Sequence, residues 1–123
     1  SNKPDVLYNP INNKLKIKVQ TDQFGNENRE YTFDNIKLQK WNNLVINYAN
    51  GTLDIFMDTE LIGSFPQVIP YNMADILTIG DGDGIDKGLN AGICNIVFYG
   101  NILRKKRIEL NYEYLKNKNP PTL

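Results

Sequence analysis

The chain has 123 residues, 41% of them hydrophobic, which suits one domain around one core. Its 14 basic and 14 acidic residues cancel, so no global field draws it to nucleic acid or to an anionic membrane. Histidine is absent, which removes His-based triads, imidazole metal ligands and histidine pH switches; no apolar run is long enough to cross a bilayer.

The dominant period along the chain is two. Leu15, Ile17 and Val19 alternate with Lys14, Lys16 and Lys18, the pattern of a strand with one dry and one wet face. Residues 23–28 read as a loop, and Tyr31 and Phe33 resume the alternation in a partner strand. Ile36 and Leu38 precede Trp41, for which a core position is expected, and Leu44, Ile46 and Tyr48 form the next strand. Asn50-Gly51 follows, a pair that tolerates positive φ at both positions and so predicts a tight hairpin into Leu53, Ile55 and Met57. The same residues with Thr52 make a glycosylation acceptor pattern, but the turn alone accounts for them.

Asp58-Thr59-Glu60 predicts a second tight turn, leading to Leu61, Gly63 and Phe65. Pro66 and Pro70 bracket an extended connection that excludes central strand. Residues 75–80 and 93–99 read as two further strands. In the second, alternation groups Cys94 with Ile96 and Phe98, so this lone cysteine is expected to be buried and inert. From Arg104 onward, Ile108, Tyr112 and Leu115 recur at helical spacing, and Pro120-Pro121 ends the pattern. Many short strands and one late helix predict an all-β, antiparallel sandwich, with no internal repeat and no second domain.

Between the two late strands lies Asp81-Gly82-Asp83-Gly84-Ile85-Asp86. Carboxylates separated by glycine can fold around one calcium ion, which takes about six to eight oxygens. The loop is not an EF-hand, since Gly92 stands where a closing glutamate belongs. A solvated turn explains the same residues, so Asp81, Asp83 and Asp86 are a calcium site or a turn. Arg104-Lys105-Lys106-Arg107 is the one basic cluster, and at one helical turn it reads as a solvated face rather than a nucleic-acid contact. Most of the seven tyrosines fall on strand or helix periods; Tyr71 and Asn72, in the Pro-bounded loop, are the candidates for stacking on a sugar and bonding its hydroxyls.

Several segments together carry a family resemblance. Leu38-Gln39-Lys40-Trp41-Asn42-Asn43-Leu44-Val45-Ile46, then Asn50-Gly51-Thr52-Leu53-Asp54-Ile55-Phe56-Met57, Leu77-Thr78-Ile79-Gly80 and Ala91-Gly92-Ile93-Cys94-Asn95-Ile96-Val97-Phe98-Tyr99 resemble the concanavalin A-like lectin/glucanase superfamily in its laminin-G-like branch. The ending Tyr114-Leu115-Lys116-Asn117-Lys118-Asn119-Pro120-Pro121 resembles versions of this domain from large DNA viruses. The resemblance implies a jelly roll with one short C-terminal helix, and a carbohydrate-binding or adhesion module at a cell or virion surface. The alternative is a structural or assembly domain, for example of a virus particle, making protein–protein contacts. Calcium at edge loops is also familiar in such relatives.

Two departures stand out: Asp58-Thr59-Glu60 replaces the family's Asn-Gly, and Arg104 replaces a Ser or Thr helix cap. The helix start is therefore expected to fray or to be capped by Asn101. The glucanase motif Glu-x-Asp-x-x-Glu is missing, which argues against hydrolysis by paired carboxylates. Nothing resembles the family's front strand before Pro4, so 1–123 is expected to be one domain lacking its N-terminal strands. Such a piece would belong to a larger chain or would close its open edge with another chain by strand addition.

Overall fold

In a computed structural model, the structure describes residues 5–21, 27–68 and 92–117. Among these residues six strands and one helix follow in order: β1 Asp5–Asn9, β2 Lys14–Gln20, β3 Asn28–Phe33, β4 Leu44–Ala49, β5 Thr52–Met57, β6 Glu60–Phe65 and α1 Lys105–Leu115. They form two three-stranded antiparallel sheets, β1-β2-β3 and β4-β5-β6. The fold is thus mostly β, as the period of two predicts.

The alternation sorts faces as expected. In β2, Leu15, Ile17 and Val19 are buried, while Lys14 and Lys16 are exposed. One cluster joins Leu15 and Ile17 of the first sheet to Ile55 and Met57 of the second, with Tyr8, Tyr31, Phe33, Leu44 and Ile46 around it. Val19, Leu53 and Val68 form a second cluster, again drawn from both sheets and the segment after β6. Fully burying such side chains contributes about 1.5–3 kcal/mol each. Tyr31 of β3 meets Phe65 of β6 edge-to-face, with ring centroids 5.8 Å apart. Beside it, a Cβ on Gly63 would lie 3.1 Å from Cε2 of Tyr31, so that ring rests where a side chain would otherwise stand.

Local chemistry sets the turns. Asn50 (φ 51) and Gly51 (φ 78) take left-handed conformations, as the β4–β5 hairpin requires. Asp58 (φ 49) and Thr59 (φ 74) do the same between β5 and β6 without a glycine. Register then shifts between Ile55 and Phe56 against β6: Ile55 faces Gly63 whereas Phe56 faces Leu61. The extra residue, Ile62, packs against the core.

Three expectations change. Residues 92–104 contain no strand, and Asn95 has φ 52, which breaks the extended run. Cys94 is consequently exposed, and Phe98 is 93% exposed, rather than sharing a buried face. Trp41 is half-buried and belongs to neither core cluster, because it lies in the β3–β4 connection, with its Cη2 3.6 Å from where a Gly92 Cβ would stand. The helix lies where predicted, with Ile108 buried and Tyr112 and Leu115 half-buried. Arg104 occupies the N-cap position and, among the described residues, no side chain caps the helix, so Asn101 does not take the role expected of it; the Arg104 carbonyl accepts from both Arg107 and Ile108.

Candidate functional site

The outer face of β1-β2-β3 is built by register. Lys18 stands between Asp5 and Glu30, Lys16 between Leu7 and Thr32, and Lys14 opposite Asn9. Where the β1–β2 turn rises beside this face, Leu7, Tyr8, Asn9, Asn12, Lys14, Lys16 and Thr32 line a shallow open cleft of about 420 Å³.

Behind the cleft the Tyr8 ring packs against the core, and hydrogen bonds fix the β1–β2 turn. The Tyr8 hydroxyl donates to Asn13 Oδ1 at 2.8 Å, and Asn13 Nδ2 donates to the Ile36 carbonyl at 3.0 Å. Asn13 has φ 53, a conformation that asparagine tolerates better than most residues. At the strand end, Asn9 Oδ1 accepts from the Ile11 N–H at 2.9 Å, closing an Asx turn and leaving the amide NH2 of Asn9 as a donor. Lys16 Nζ lies 3.4 Å from Glu30, and Lys14 Nζ 3.9 Å from Asp34. Both carboxylates beside the cleft are therefore engaged by lysines. An apolar side chain, lysine stems, amides and a hydroxyl thus surround the concavity.

A second constellation docks the helix on the other sheet. Asn47, buried in β4, donates from Nδ2 to the Leu103 carbonyl at 2.7 Å and accepts from the Leu103 N–H at 3.2 Å. Lys105 Nζ lies 5.4 Å from the centre of the Phe56 ring and donates to the Thr59 carbonyl. Asp58 fastens the neighbouring connection: its Oδ1 accepts from the Asn43 N–H at 2.8 Å and its Oδ2 pairs with Lys37 at 3.0 Å. That hydrogen bond, reinforced by the carboxylate's charge, raises the Lys37 pKa above its ordinary value.

Tyr71, Asn72, Asp81, Asp83 and Asp86 lie outside the described residues. Among the described residues, no group of three or more His, Cys, Asp or Glu side chains could hold a metal ion. The cleft was not among the sites expected from sequence. Its only linear signal is the wet face of β2 running into the Asn-rich turn, residues 9–13, and that pattern also describes an ordinary solvated surface.

Fold and cleft together define a β-rich domain with an open, partly apolar cleft beside one sheet. No family model and no curated protein sequence matches the chain. Among solved structures, residues 221–444 of an S-layer domain-containing protein from Clostridium thermocellum are similar in fold, with a TM-score of 0.53 at 12% identity. The match covers 89% of this chain and 62% of that one, so the chain spans less than two thirds of its neighbour's length.

Proposed function

We propose that this domain is a non-catalytic binding module, a concanavalin A-like sandwich of the laminin-G-like branch, that recognises carbohydrate at a cell or particle surface. The cleft of Leu7, Tyr8, Asn9, Asn12, Lys14, Lys16 and Thr32 carries the reading. Sugars present apolar C–H faces and a rim of hydroxyls, and this lining offers Leu7 and the aliphatic stems of Lys14 and Lys16 to the first and amides and a hydroxyl to the second. Calcium is not needed for this surface; a calcium dependence of binding would be assigned to Asp81, Asp83 and Asp86, and a contribution from the loop to Tyr71 and Asn72. A glycan array with and without calcium tests the proposal. Saturable binding that free sugar competes away, weakened about tenfold or more by Asn12→Ala, is the expected result, a loss of roughly 1.4 kcal/mol. A flat array in both conditions overturns it.

A second reading, an assembly domain making protein–protein contacts, is favoured by one observation. Ile93, Ile96, Val97, Phe98, Tyr99 and Ile102 are all exposed within ten residues of chain, from 93 to 102. Exposed apolar surface of this kind marks interaction sites. The S-layer domain-containing neighbour supports a surface location only through likeness of fold. Sedimentation across a concentration series tests the reading: self-association that Phe98→Ser abolishes supports it, and a monomer at every concentration argues against contacts between copies.

A further inference from the structure

We infer that the cleft takes a neutral oligosaccharide in preference to a sulfated or uronic one, an inference that rests on the carbohydrate reading above. Two lysines line the cleft, and two unopposed ammonium groups would select anionic sugars. The register opposes them. Lys16 reaches diagonally to Glu30 at 3.4 Å, and Lys14 to Asp34 at 3.9 Å, while Lys18 stands between Asp5 and Glu30. On the face that carries Lys14, Lys16 and Lys18 the three lysines are thus met by Asp5 and Glu30, with Asp34 at the margin, whereas Arg29 stands opposite Val19 on the other face.

Exposed pairs of this kind add little to stability, but they cancel the field that a ligand meets at the cleft. A sulfate or carboxylate placed against Lys14 or Lys16 also comes close to Asp34 or Glu30, where like charges repel. The remaining lining is neutral: Leu7 for a sugar's apolar face, and the Asn9 NH2, the Asn12 amide and the Thr32 hydroxyl for its hydroxyls. Each lysine keeps further N–H donors for hydroxyl oxygens while it is paired, since an ammonium has three. The neighbouring carboxylates offset the charge of the lysines and with it their preference for anions.

The test titrates the full chain with neutral cello- and xylo-oligosaccharides and, separately, with heparin and galacturonate oligosaccharides at low and physiological salt. The wild-type chain is expected to bind a neutral series at least about tenfold more tightly than either acidic one, with little salt dependence. The double variant Glu30→Gln, Asp34→Asn exposes both ammonium groups. It should gain salt-sensitive affinity for the heparin oligosaccharides while its neutral-sugar affinity changes by less than about threefold. Preferential binding of acidic sugars by the wild type, falling with salt, overturns the inference and leaves the carbohydrate reading standing. Failure to bind any saccharide overturns both. No gain in heparin affinity in a folded double variant shows that the carboxylates do not set the choice, and it too overturns the inference.

Discussion

Thr59 sits at φ 74, a conformation that costs an L-residue roughly 1–2 kcal/mol and suits a β-branched one least. The turn keeps its shape because its neighbours hold it from outside: Asp58 accepts from the Asn43 N–H and pairs with Lys37, and the Thr59 carbonyl accepts from Lys105. Only the backbone of Thr59 takes part in that last bond, so glycine preserves it while relieving the strain. Thr59→Gly is expected to stabilise the fold by about 0.5–1 kcal/mol, the strain relieved less the extra chain entropy of glycine. Urea denaturation measures it, and a destabilised variant would mean that the threonine side chain contributes more than its backbone costs. The position of this turn was legible in the sequence, but the reason for Asp58 in place of asparagine was not. Its partners, Asn43 and Lys37, are 15 and 21 residues away, so no local pattern records them.

Elements made by local alternation were the most legible. The β2 pattern of lysine and aliphatic residues, the Asn50-Gly51 hairpin and the Ile108 stripe each name their structure within a few residues. The docking of the helix was not legible, because it depends on a polar residue inside a strand. Asn47 closes both hydrogen bonds of Leu103 just before a helix that has no side-chain cap. Asn47→Asp keeps the size and the acceptor but loses the donor, leaving carboxylate oxygen against the Leu103 carbonyl. The variant is expected to lose about 2–3 kcal/mol at neutral pH, the cost of an unsatisfied buried polar group. In acid, a protonated carboxyl regains a donor, so the deficit relative to the wild-type chain should shrink. Equal deficits at both pH values would show that the Leu103 carbonyl does not need this donor.

For the whole molecule, the faces that meet in the core and the faces left to solvent follow from the strand period, whereas the surroundings of residues 93–99 do not. A strand needs a neighbour for its N–H and C=O groups, and no described strand pairs with this segment. Alternation alone therefore placed Cys94 inside, and the fold places it outside, next to Asn95 in a left-handed conformation. The thiol reports directly on what covers the stretch. In dilute native protein, Cys94 is expected to react with a thiol reagent within about threefold of its rate in denaturant, because an exposed sulfur needs no opening event. If the apolar residues around it make contacts between copies, that rate should fall as concentration rises, in step with sedimentation. The Phe98→Ser variant should then label quickly at every concentration. A thiol strongly protected even at high dilution would instead mean that 93–99 pairs as a strand within the monomer, with Cys94, Ile96 and Phe98 on a buried face.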